Sequence, residues 1–120
     1  MGPFQDVIND LRQPTRDLRA AIPGVWAGFS EMHQAAMADG ALPGRMKELI
    51  ALAIATANGC DGCIAYHARA AAIRGATESE AAEALGVALL MEGGPASVEA
   101  PRAFEAFREF RAALVPAAVG

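Results

Sequence analysis

Asn58-Gly59-Cys60-Asp61-Gly62-Cys63-Ile64-Ala65-Tyr66-His67-Ala68-Arg69-Ala70-Ala71-Ala72-Ile73-Arg74-Gly75 is the stretch that decides the fold. An Asn-Gly pair ends one helix, and a glycine at the far end can take the left-handed conformation that closes the next. What lies between is rich in alanine, the best helix former. A helix is therefore expected from Cys60 or Asp61 to Arg74. The turn before it is short, so the preceding helix, from Gly44 to about Ala57 behind Pro43, should lie antiparallel to it.

The same punctuation extends in both directions. Upstream, an amphipathic segment from Phe4 to Ile22 is expected to be interrupted or kinked at Pro14. Pro23 then suits the first turn of a helix carrying Val25, Trp26, Phe29, Met32 and Met37, ending at Asp39-Gly40. Downstream, Thr77 with Glu80 three residues later forms a capping box for a helix reaching about Glu92. Gly93-Gly94-Pro95 breaks it, and a last helix carries Phe104, Phe107, Phe110 and Leu114 at three- and four-residue spacing. That makes about six helices and no segment alternating apolar with polar residues as a half-buried strand does. The expected fold class is all-α, in a single domain of residues 1–120.

Composition narrows the function classes. Of the 120 residues 29 are alanine, and these small side chains let helix backbones approach closely. The net charge of −4 and pI near 5.1 offer no basic cluster to displace counterions from phosphates, which argues against nucleic-acid binding. The longest uncharged run, Leu49 to Cys60, is too short for a bilayer, which takes about 20 apolar residues. The first residues lack the basic and apolar regions of a signal peptide. A cytoplasmic address is expected, where a close cysteine pair is more often catalytic or metal-binding than a structural staple. The mean hydropathy of +0.23 is high for so small a domain, and burying the excess between subunits implies a homo-oligomer.

Cys60, Cys63 and His67 stand at i, i+3 and i+7, on one face of the fourth helix. Three effects meet there. The helix N-terminus favours thiolate over thiol. An imidazole four residues from Cys63 can exchange a proton near neutral pH. The spacing also permits a disulfide between the two cysteines. Lowered thiol pKa, a base and a resolving partner are what a redox dithiol requires. Glu48 is the one acidic residue on the preceding helix, ahead of an apolar run. Across the hairpin it could orient His67 or accept a proton through it; otherwise it is an ordinary surface carboxylate. Structural zinc needs four ligands, and His33 on another helix is the only remaining histidine or cysteine. Ile64 after Cys63 excludes a c-type haem site, and the absence of a preceding strand excludes a thioredoxin-like placement. His33, Trp26 and the methionines read as core or subunit contact. Tyr66 and Arg69 flank His67 and read as packing or solvated positions, while Arg45 and Lys47 read as first-turn surface charges.

Residues Gly40 to Ile50 together with Asn58 to His67 resemble the carboxymuconolactone decarboxylase superfamily, and within it the alkylhydroperoxidase AhpD-like branch. The shared pattern is Glu-x11-Cys-x2-Cys-x3-His, then a small-residue helix, a Gly-Ala turn and a Thr-x-x-Glu cap. Here these are Glu48, Cys60, Cys63, His67, Gly75-Ala76 and Thr77/Glu80, and the resemblance covers about residues 40–91. It implies an all-helical fold assembled as a trimer or hexamer, with no metal or organic cofactor beyond a redox-active Cys60–Cys63 disulfide. It implies a peroxidase of antioxidant defence that takes a small hydroperoxide substrate and a thiol or dithiol reductant. By the same resemblance Cys63 is the peroxide-reactive thiol, Cys60 its resolving partner, and Glu48 and His67 the proton relay. Helix-end electrostatics alone favour Cys60 as the more acidic thiol, whereas proximity to His67 favours Cys63. One departure stands out: some AhpD enzymes have a histidine between the cysteines, where this chain has Asp61-Gly62, and Asp61 should raise the pKa of nearby thiols. Two other functions fit the residues: true carboxymuconolactone decarboxylation in aromatic-acid catabolism, which has no need of a dithiol, and a non-enzymatic redox-sensing oligomer.

Overall fold

Helix starts and stops follow the glycine, proline and capping signals closely. The computed structural model describes residues 2–114, and among these it has six α-helices and no strand. They are α1 (Pro3–Ala21), α2 (Pro23–Met37), α3 (Gly44–Asn58), α4 (Asp61–Ile73), α5 (Glu78–Glu92) and α6 (Gly94–Leu114). The all-α expectation is met, and the helix count with it. Two details differ. Helix α1 is not interrupted at Pro14, because Pro14 and Asp10, whose carbonyl loses its helical partner, are both exposed and water can satisfy it. Helix α6 begins at Gly94, so Gly94-Pro95 form its first turn, where a missing N–H costs nothing.

Helix α4 is the centre of the molecule. It packs on α1, α3 and α6, while α5 lies across α3 and α6. Its buried residues are Ile64, Ala65, Ala68, Ala71 and Ala72, and α6 answers with Ala100, Ala103, Ala106, Phe107 and Phe110. Facing alanines leave room for the backbones to close, and the larger side chains Phe4, Ile8, Leu49, Leu52 and Leu85 fill the surrounding space. Each such large side chain contributes roughly 1.5–3 kcal/mol by leaving water. The start of α1 has no side-chain cap of its own. Instead Glu109 of α6 accepts the N–H groups of Phe4 and Gln5 at 3.2 and 2.8 Å.

The capping box on α5 is complete. Thr77 Oγ1 accepts the Glu80 N–H at 3.1 Å, and the Glu80 carboxylate accepts the Thr77 N–H at 2.9 Å. The Thr77 N–H, helped by Arg45, holds the Glu80 carboxyl below its ordinary value of 4.5 against the opposing effect of desolvation. Helix α2 meets only part of the expectation of core or subunit contact. None of its residues is buried, and Val25, Phe29 and Met32 are 70%, 52% and 63% exposed, so within this chain they are not core. No helix among the described residues is long and apolar enough to cross a membrane.

Candidate functional site

The hairpin between α3 and α4 brings the sequence motif together. Gly59 closes α3 in the left-handed conformation (φ +66°), with its N–H directed to Thr56 O and that of Cys60 to Ala55 O. This reversal makes Cys60 the N-cap of α4. Its Sγ accepts the Cys63 N–H at 3.3 Å, and its carbonyl accepts from Ile64 at 2.8 Å. A sulfur at an N-cap sits where free N–H groups favour negative charge. The Cα atoms of Cys60 and Cys63 are 5.3 Å apart and the two sulfurs are paired. Cys60 is half-buried, whereas Cys63 is exposed and opens on a cleft.

Antiparallel packing sets Glu48 of α3 against His67 of α4. His67 Nδ1 and Glu48 Oε2 are 2.8 Å apart, with side-chain exposures of 22% and 3%. An ionised carboxylate only accepts, so Nδ1 carries the proton and donates it, leaving Nε2 as the ring nitrogen with a free lone pair. The carboxylate thus fixes the imidazole's tautomer and orientation, and it stabilises positive charge on the ring whenever Nε2 takes up a proton.

Two features could not be foreseen from spacing. Asp61, between the cysteines, is met by Arg102 of α6, whose Nη2 lies 3.0 and 3.1 Å from its two carboxylate oxygens. Arg102 in turn lies over the Phe4 ring at 5.5 Å. The anionic charge expected to oppose thiolate formation therefore has a cation beside it. The second feature is α2, whose Trp26, Phe29 and His33 (i, i+3, i+7) line the cleft in front of Cys63. Trp26 and Phe29 stand 5.9 Å apart, Phe29 and His33 6.4 Å, and His33 lies nearly parallel to His67, 6.3 Å away with 21° between the planes. The helical spacing of these three rings was visible in the sequence, but it reads equally well as a packing face. Tyr66 and Arg69 also line the cleft, whereas Lys47 donates to Ala38 O and Arg45 pairs with Glu80 at 3.3 Å. Among the described residues no group of three or more His, Cys, Asp or Glu side chains is disposed to hold a metal ion.

The arrangement offers a dithiol at a helix start, a carboxylate-oriented imidazole beside it, and an aromatic-walled cleft of about 650 Å³. Comparison with known proteins agrees with the fold. The family model described as the carboxymuconolactone decarboxylase family matches residues 23–106. An uncharacterized protein of Cupriavidus necator is 38% identical over 100 residues, covering 83% of this chain and 88% of the relative. "Uncharacterized protein 4 in cox locus" of Paracoccus denitrificans is 38% identical over 81 residues, covering 68% and 73%. The crystal structure of an apo carboxymuconolactone decarboxylase family protein from Legionella pneumophila superposes with a TM-score of 0.87 at 42% identity, over 90% of this chain and 96% of that one.

Proposed function

The chain belongs to the carboxymuconolactone decarboxylase family, and from that premise we propose that it is a thiol-dependent hydroperoxide reductase of the AhpD type. The observation that carries this reading is the 2.8 Å hydrogen bond between His67 and buried Glu48, one helical turn from a paired Cys60 and Cys63. A decarboxylase has no use for a dithiol, and a merely structural disulfide has no use for an oriented imidazole.

In the reduced protein His67 Nε2 takes the Cys63 proton, and Glu48 stabilises the resulting imidazolium. The Cys63 thiolate attacks the outer oxygen of the hydroperoxide. The S–O bond forms as the O–O bond breaks, and the leaving alkoxide takes the proton back from His67 as the alcohol departs. Cys63 is then a sulfenic acid. The Cys60 sulfur attacks it, the S–O bond breaks, and hydroxide leaves as water with the proton that Cys60 gave up. Two thiols and one hydroperoxide thus give a disulfide, an alcohol and water, and an external thiol or dithiol restores the pair. Cys63 takes the attacking role because it faces the cleft, and Cys60, at the N-cap, resolves. On the same reading a second copy of the chain covers Val25 and Met32, which α2 leaves exposed outside the cleft.

A coupled assay with an organic hydroperoxide and excess dithiothreitol tests the proposal. Thiol-dependent conversion to the alcohol is expected, and it is lost in Cys63→Ser. Absence of turnover in the wild type, or full turnover in that variant, rejects the peroxidase reading. Turnover of a muconolactone by the Cys60→Ser, Cys63→Ser double variant favours decarboxylation instead.

A further inference from the structure

The chain is acidic overall, yet the cleft in front of Cys63 is not. Of the nine arginines, Arg45, Arg102 and Arg108 pair with carboxylates and Arg111 donates to Ala76 O. Among the described residues the other five have no carboxylate partner within ion-pair distance, and three of these, Arg19, Arg69 and Arg74, line this cleft, Arg74 also bordering a neighbouring one beside Asp39. Among the described residues the sole carboxylate in its wall is Glu48, which is buried and bound to His67. Arg74 gives one N–H to Met37 O at 2.9 Å, and Arg69 is half-buried. Guanidinium groups left unpaired beside an apolar wall are suited to a carboxylate, which they can hold in two parallel hydrogen bonds.

Helix geometry gives the ligand a length. Along α4, Arg69 lies six residues beyond Cys63 and Arg74 eleven, which at ~1.5 Å per residue is about 9 and 16 Å. Trp26, Phe29 and Ile73 give the cleft its apolar lining.

We propose that the cleft takes an organic hydroperoxide with an apolar body and a terminal carboxylate, the hydroperoxide at Cys63 and the carboxylate held by Arg69 with Arg19. The hydroperoxide half of this rests on the reading above; the carboxylate half does not. The chain's single tryptophan, Trp26, lies in the cleft wall and reports binding without any turnover.

The first measurement is titration of the oxidised protein with 4-phenylbutanoate and with its methyl ester, followed by Trp26 fluorescence. The carboxylate should bind about tenfold more tightly than the ester, and the preference should shrink with added salt as counterions screen the arginines. In Arg69→Gln combined with Arg19→Gln the preference should fall to near one, and Arg69→Lys should restore part of it. The second measurement is the ratio of kcat/KM for para-(2-carboxyethyl)cumene hydroperoxide to that for cumene hydroperoxide. It should exceed five in the wild type and approach one in the double variant. Equal binding of acid and ester overturns the proposal, as does a double variant, shown to be folded by its melting curve, that slows both hydroperoxides in proportion and keeps their ratio. Carboxylate-selective binding without any peroxide turnover upholds the ligand class and rejects the peroxidase chemistry, so the two failures are told apart.

Discussion

Replacing Glu48 with glutamine removes one charge from the site while keeping its shape. In the wild type the buried carboxylate and His67 Nδ1 are 2.8 Å apart. Two unit charges about 4 Å apart attract by roughly 4 kcal/mol at the effective dielectric of a protein site. That gross figure is not all lost, because the glutamine oxygen can still accept the same N–H. A hydrogen bond to a charged group contributes about 1.5–3 kcal/mol, a neutral one about 0.5–1.5 kcal/mol. The difference, on the order of 1–2 kcal/mol, is felt only when His67 becomes an imidazolium, which is when the Cys63 thiolate forms. At about 1.4 kcal/mol per factor of ten, Glu48→Gln should slow iodoacetamide alkylation of reduced Cys63 at neutral pH roughly 5- to 30-fold, with a matching fall in hydroperoxide turnover. Stability should move in neither direction by more than about 1 kcal/mol, because a neutral amide in this buried position no longer opposes burial of charge. Alkylation measured in a Cys60→Ser background, with urea unfolding as control, separates these effects. Alkylation within twofold of the parent, in a folded variant, would refute the idea that Glu48 acts on the dithiol through His67.

Three further outcomes follow from particular contacts. Arg102→Gln leaves Asp61 without its cation beside the thiols, so alkylation of the reduced pair should slow by a few-fold at low salt. The pair is half-exposed, so the effect should fade at high salt, and adding Asp61→Asn should restore the rate; a salt-independent loss points to altered packing instead. Gly59→Ala meets no atom within 4 Å, so its whole cost is the positive φ, about 1–2 kcal/mol on the urea midpoint; a neutral result means the hairpin rearranges. Because the folded Glu80 carboxyl lies below its ordinary value of 4.5, its contribution is full above that value and is lost as pH falls through the lower folded value. The melting-temperature gap between wild type and Glu80→Gln should therefore be wider at pH 6 than at pH 3, and an equal gap at both contradicts the cap.

Features that depend on neighbours within one or two turns of chain could be read from residue order. Gly59 and Gly75 end their helices at positive φ, Thr77 and Glu80 cap α5, and Cys60, Cys63 and His67 share one face of α4, because caps and helical spacing act over three to seven residues. Even the approach of Glu48 to His67 was legible, since a tight turn leaves antiparallel packing as the simple solution. The rest depended on where helices cross, which no local preference encodes. Arg102 reaches Asp61 from 41 residues away. Pro14 stays inside a continuous helix because the carbonyl it orphans faces solvent. The aromatic face of α2 was readable as a stripe, but only the tertiary structure could decide between core and cleft. A stripe of Trp26, Phe29 and His33 records that a face is apolar, whereas what that face meets is fixed by how α1, α3 and α4 have already filled the interior.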